Sequence, residues 1–311
     1  MNTAYFLRLA GFSLASFFAV NVLTGLLLAL LSPKAIRFAE GMKAKSAARL
    51  LFALKIAPAA IGLFAVFALC IPSYLWLEPE SAASEELGIF CLLAMGGAVA
   101  LWLWAIWQSC FAIVKSERYL ESCAAIGKKR SIAGENVLVV RTERTTVLAG
   151  LLRPVILISP DVLAVLSREQ LEAAVRHERS HAAARDNLKR LAMLLAPELV
   201  PLRRIDQAWR RYSEWAADDC AVAGNRRRSM ALAEALVRVA RLGGGPQMAP
   251  LATPLLGEDL AARVDRLIHG DTRRRSLPWK PIVLSLAICA AILFRPSTLD
   301  MVHRVLEKLI D

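Results

Sequence analysis

Charge is sparse in this chain. Only 21% of its 311 residues are Asp, Glu, Lys or Arg, while 56% are apolar, and the mean hydropathy is +0.45. A disordered chain is excluded, because such a composition collapses or inserts rather than staying solvated. Two ordinary soluble domains, which the length would allow, are disfavoured. Cysteine pairing is lacking as well. Cys70, Cys91, Cys110, Cys123, Cys220 and Cys289 are scattered and form no CxxC, which excludes a disulfide scaffold. No internal repeat or long low-complexity tract is visible. The chain also has no zinc finger, RNP-type strand or clear helix-turn-helix, so its net charge of +12 points to a membrane surface and not to direct nucleic-acid binding.

Long apolar runs are what the sequence has in place of charge. Leu9–Leu31, Ile56–Leu77 and Leu87–Val114 each reach the ~20 residues needed to cross a bilayer. Leu277–Phe294, which contains Lys280 and is bounded by Arg295, is expected to be a fourth span. The first run is too long for a cleaved signal peptide and is followed closely by a second span. Between the first two runs, residues 32–50 hold Lys34, Arg37, Lys43, Lys45 and Arg49 against Glu40 alone. Between the second and third stand Glu78, Glu80, Glu85 and Glu86 with no base. The basic loop is therefore expected inside and the acidic loop outside. This predicts a multi-pass protein of the plasma (inner) membrane with three parts. Residues 1–114 form a three-span region, 115–276 a cytoplasmic domain, and 277–311 the fourth span with a short extracytoplasmic tail. Residues 115–280 hold 29 Lys and Arg against 19 Asp and Glu, which suits a domain lying against anionic membrane lipid.

Within the polar domain, Asn136–Val140, Thr145–Leu148 and Pro154–Ile158 read as short strands. Ser167 and Gln170 form a capping box that opens a helical pattern running to Pro197. Pro201 opens a second helix, which stops at Gly224–Asn225. A third covers about Ser229–Leu242, and a short one Asp259–Ile268. The fold class expected is an α-helical membrane protein with an α+β cytoplasmic domain and four transmembrane helices.

The chain has only four histidines, and two of them occur as His177-Glu178-Arg179-Ser180-His181. Residues at i and i+4 share one helical face, so both imidazoles can point at one metal ion. Glu178 sits one position on, able to reach a water on that metal without being a ligand. This is the HExxH arrangement, in which two imidazoles hold zinc and the carboxylate takes a proton from the water. A catalytic zinc needs a third protein ligand. The next helix offers Glu214-Trp215-Ala216-Ala217-Asp218, with carboxylates at i and i+4. Glu214 can complete a His2Glu site for one zinc ion, and Asp218 can accept the second N–H of a ligand histidine. Arg211, one turn before Glu214, either supports these carboxylates or the oxyanion, or forms a structural ion pair.

His177–His181 followed by Arg211-Tyr212-Ser213-Glu214-Trp215-Ala216-Ala217-Asp218 resembles the HExxH…RxxExxAD pattern of membrane-embedded gluzincin peptidases. The stretch Gly150–Leu163 (GLLRPVILISPDVL), with Arg185-Asp186 after the metal helix, resembles more narrowly the BlaR/MecR family of antirepressor metallopeptidases. The three-span entry, protease domain and late span match that layout, so the resemblance covers most of the chain. It implies a gluzincin-like zinc protease domain, with His177, His181 and Glu214 as ligands and Glu178 as general base. Its substrate would be a cytoplasmic protein such as a transcriptional repressor. Members that sense beta-lactams carry a penicillin-binding domain after the last span. Here the sequence ends at Asp311 with no SxxK in the tail, so beta-lactam sensing is not expected.

Two alternatives to a signalling protease stand beside it: a quality-control protease of membrane proteins, and a non-catalytic sensor that keeps its metal for structure. His269 and His303 have no partner at ligand spacing, Cys220 reads as a packing residue, and Asp186 is expected to pair with an arginine. The tryptophans of the third run read as membrane or packing residues, and Leu299–Ile310 as an interfacial helix. Val155–Ile158, if it lies at a sheet edge, could receive substrate as an added strand.

Overall fold

The computed structural model describes residues 3–77, 88–141, 146–243, 251, 253–254, 259–270 and 276. The proposed fourth span and the C-terminal tail lie outside the described residues. Two long helices, α1 (Thr3–Glu40) and α2 (Ala44–Ala65), are joined by a short turn. A π-helical stretch, Val66–Cys70, and α3 (Ile71–Leu77) continue α2. The next helix, α4 (Ile89–Ile126), extends twelve residues beyond the apolar run that ends at Val114. Tyr5–Glu40, Ala44–Trp76 and Ile89–Ile126 are the three described helices long and apolar enough to cross a membrane. Each is apolar around much of its circumference, as a lipid-facing helix must be. They pack through close contacts: a Cβ added at Gly62 would stand 2.9 Å from the Phe17 ring, and one at Gly97 2.6 Å from Phe18. Larger residues at either glycine would push the spans apart.

A small mixed sheet follows, built from β1 (Lys128–Ile132), β2 (Glu135–Val139), β3 (Thr146–Ala149), β4 (Val155–Ile158) and the two-residue β5 (Thr253–Pro254). Their spatial order is β1-β2-β4-β3-β5. The β1–β2 hairpin turns through Ala133 and Gly134, both at positive φ, the geometry that matches the twist of paired strands. The sequence pattern misses β1, because Lys128-Lys129-Arg130 lacks apolar alternation. β4 is not an edge strand. It pairs parallel with β2 and antiparallel with β3, so it cannot receive an added strand, and the outer edge of β3 is already paired with β5.

Six helices accompany the sheet: α5 (Pro160–Val165), α6 (Arg168–Ala184), α7 (Asp186–Leu195), α8 (Arg203–Val222), α9 (Arg226–Arg241) and α10 (Leu260–His269). The capping box at α6 forms: Gln170 N donates to Ser167 Oγ, and Ser167 N to Gln170 Oε1. The helical pattern expected to run unbroken to Pro197 instead breaks at Arg185. There the backbone turns left-handed (φ 55°, ψ 42°), a conformation that costs a non-glycine residue roughly 1–2 kcal/mol. One apolar core joins the sheet to α6, α9 and α10 through residues such as Ile158, Val175, Leu236 and Leu267. A second joins α8 to the start of α2, where Ile205, Trp209 and Tyr212 meet Ala44, Ala48 and Leu51. Each fully buried large side chain contributes about 1.5–3 kcal/mol, so α8 is held firmly between the spans and α6.

Candidate metal centre

α6 and α8 pack face to face, and each brings its i, i+4 pair to the contact. His177, Glu178, His181 and Asp218 are fully buried and Glu214 nearly so. Helical periodicity explains the division of labour along α8. Ile205, Trp209 and Tyr212 face α2, while Glu214 and Asp218 lie toward α6.

His177, His181 and Glu214 form a cluster that could hold a metal ion. His177 Nε2 lies 3.1 Å from His181 Nε2. The Glu214 carboxylate places one oxygen 3.5 Å from His177 Nε2 and the other 3.6 Å from His181 Nε2. A tetrahedral ion with bonds of about 2.0–2.1 Å spaces its ligand atoms about 3.3–3.4 Å apart. The three separations bracket that spacing within a few tenths of an ångström, the carboxylate offering a different oxygen to each imidazole.

The outer ring nitrogens turn away from this centre. Asp218 Oδ1 lies 2.8 Å from His177 Nδ1, and Asp186 Oδ2 lies 2.7 Å from His181 Nδ1. At His181 a proton held at Nδ1 by Asp186 leaves Nε2 with its lone pair toward the centre, while the Asp218 approach to His177 Nδ1 is a charge contact without hydrogen-bond geometry. Asp186 therefore pairs with a histidine, and with Lys189 at 2.7 Å, not with an arginine as the sequence suggested. The break at Arg185 makes this possible, because it lets α7 start by turning Asp186 back onto His181.

Arg263 of α10 was not singled out from the sequence. It is completely buried, chelates Asp218 at 2.7 and 2.9 Å, and reaches Glu214 at 3.0 Å. The signal was a lone cation on an apolar helical face, between Leu260, Val264 and Leu267. Arg211 is not brought to the cluster. Its side chain is 44% exposed and pairs with Asp259, the structural ion pair that stood as one of its two readings. Cys220 is exposed, contrary to a packing role, and His269 pairs with Asp265 on its own helix.

The electrostatics keep the carboxylates charged, with Arg263 close to both Asp218 and His177 Nε2. Burial disfavours a charged His181 ring, yet Glu214 and Asp186 outweigh it and hold its pKa up at about 10. Burial likewise works against the Glu214 and Asp218 carboxylates. His181 and Arg263 nevertheless hold Glu214 well below the usual carboxylate range, and Arg263 with His177 holds Asp218 down at about 2. Glu178 is the exception. Its two oxygens are buried with no hydrogen-bond partner, and burial pushes its carboxyl up to about 7. An unpartnered buried carboxyl beside two imidazoles is costly unless it serves a ligand or a reaction.

Beside the cluster a cavity of about 270 Å³ lies between the β3–β4 connection and the metal helix, lined by Leu148, Leu152, Pro154, His181 and Arg185. Asn187 closes its floor by donating to the Gly150 carbonyl oxygen at 2.8 Å. Compared with known proteins, the chain matches no family model and no curated sequence.

If Asp218 orients His177, Asp218→Ala should weaken metal affinity by about 10–100-fold. Titration of the metal-free protein with a competing chelator reads this directly. An unchanged affinity would show that Asp218 serves only to pair Arg263.

Proposed function

We propose that this chain is a membrane-anchored zinc endopeptidase of the BlaR/MecR type, hydrolysing peptide bonds of a cytoplasmic protein in regulatory signalling. The observation that carries the reading is the unpartnered Glu178 carboxyl, buried against a three-residue cluster that could hold a metal ion. The two-histidine, one-carboxylate donor set suits zinc and leaves a fourth position for the reaction. A zinc ion there would supply Lewis acidity to the reacting water and the scissile carbonyl.

The side chains do the rest. Glu178 takes a proton from the attacking water as its oxygen bonds to the carbonyl carbon. It returns that proton to the amine nitrogen as the C–N bond breaks, so the carboxylate is regenerated. Its raised pKa suits an exchange of this kind near neutral pH. Asp186 keeps His181 in the ligand tautomer, Asp218 sets its charge against His177, and Arg263 neutralises the carboxylates of Asp218 and Glu214. The cavity beside His181 offers room for a substrate side chain.

A second reading, a non-catalytic sensor stabilised by its metal, is favoured by Arg263. Its ion pairs to Glu214 and Asp218 tie α10 to the cluster as a structural staple would. Measuring proteolysis by the wild type and by a Glu178 variant decides between the two.

The orientation follows from charge: the basic end of the α1–α2 hairpin and the metal cluster share the cytoplasmic side. A membrane-impermeant thiol reagent added outside should modify Ser81→Cys and spare Ser131→Cys. The opposite pattern would invert the topology.

A further inference from the structure

The connection between α7 and α8 takes no part in the metal chemistry, yet it meets the first two spans inside or at the border of their apolar stretches. Asn21 Nδ2 donates to the Pro197 carbonyl oxygen at 3.0 Å. A Cβ at Gly25 would stand 3.6 Å from the Val200 Cβ. Lys55 Nζ pairs with both Glu198 oxygens at 2.9 Å. Asn21 lies ten residues, and Gly25 six, before the end of the α1 apolar run at Leu31. At about 1.5 Å per residue these are depths of about 15 and 9 Å along the helix, within a hydrocarbon layer about 30 Å thick. Lys55 stands immediately before the apolar run of α2.

The composition of the connection agrees independently. Leu191–Leu202 reads LAMLLAPELVPL, and its one ionisable residue, Glu198, is the one paired with Lys55. A basic pair, Arg203-Arg204, follows the connection directly, and both side chains are exposed, whereas Lys189 is taken up by Asp186 and Arg190 stacks on Trp209. An apolar tip followed at once by an exposed basic pair is the pattern of a segment dipped into a bilayer from its anionic surface. Leu195 and Leu199 stay 42% and 50% exposed, an arrangement that suits contact with lipid chains. Irregular backbone at membrane depth must find partners within the protein. Asn21 satisfies the Pro197 carbonyl, while Pro197 and Pro201 have no N–H to satisfy.

We infer that α7, residues 196–202 and the start of α8 form a re-entrant hairpin. Its tip, residues 191–202, is inserted in the hydrocarbon of the leaflet on the side of the metal cluster, with Arg203 and Arg204 at headgroup level. This rests on the reading of α1 and α2 as membrane spans and not on catalysis. The first half of α7, residues 186–190 and about 7.5 Å along the helix, then separates the tip from Asp186 and His181. The metal cluster is thereby held close to the membrane surface.

The test uses the full chain reconstituted in phosphatidylcholine–phosphatidylglycerol vesicles, with its six native cysteines replaced by alanine. A spin label at Leu199→Cys or Leu195→Cys should collide more with oxygen than with a water-soluble nickel chelate. It should match a label at Leu27→Cys, exposed on α1, and show the inverse of one at Leu152→Cys, exposed beside the sheet. The unsubstituted protein, photolabelled by phospholipids carrying a diazirine in the acyl chain, should be modified within residues 191–202. A Leu199 label as open to nickel as the Leu152 label overturns the inference. So does photolabelling that marks the spans and leaves 191–202 unmarked. Neither readout depends on metal or proteolysis, so its outcome is separate from that of the protease reading.

Discussion

Glu178→Gln should leave metal content and fold intact while lowering peptide hydrolysis by at least the about 10²–10⁴-fold that general acid–base catalysis contributes. Glutamine keeps the shape of the side chain and its reach toward the centre but cannot take the proton. The native carboxyl is buried without a partner, and burial, with the Glu214 charge beside it, drives its pKa upward. Its neutral replacement should therefore not destabilise the protein, and the melting temperature should hold or rise, the usual relation between stability and a strained catalytic group. Substrate binding survives, so the variant should also retain substrate that the wild type releases as products. Wild-type rates in the variant would remove Glu178 from the mechanism. Hydrolysis in neither protein would favour the metal-stabilised sensor.

Removing a ligand should have a different signature. Purified protein should carry about one equivalent of zinc, and His177→Ala, His181→Ala or Glu214→Ala should each lose most of it, because two remaining donors do not hold the ion tightly. His181→Ala also strips Asp186 of its imidazole partner, and Glu214→Ala strips Arg263 of one of its two carboxylates. Some loss of stability should accompany the loss of metal. Elemental analysis of the purified variants measures this without any substrate. Full zinc and full activity in Glu214→Ala would show that the third donor has been assigned wrongly.

The two metal helices were legible because helical spacing converts directly into geometry. Residues four apart share a face, so His177 with His181, and Glu214 with Asp218, had to project together once α6 and α8 formed. Ser167 and Gln170 announced the start of α6 in the same local way. What was not legible depends on contacts distant in sequence or on unusual backbone. Arg185 carries no glycine-like signal for a left-handed turn, so neither the break nor the return of Asp186 to His181 could be read. Arg263 reaches Asp218 from 45 residues away, and a single arginine in a short helix does not reveal which carboxylates it will meet. β1 is paired through its backbone to β2 and owes little to apolar alternation. The α7–α8 connection looked like an ordinary Pro-bounded turn, and only its meeting with Asn21, Gly25 and Lys55 gives it a place beside the spans.

The proposed hydrolysis of peptide bonds at this buried cluster is tested most directly by comparing protein N-termini in cells that express the wild type or Glu178→Gln at equal levels. A small set of internal N-termini, arising from one or a few cytoplasmic proteins, should be present with the wild type and missing with the variant. Identical N-terminal sets in the two cells, with both proteins metal-loaded, would contradict the proposal.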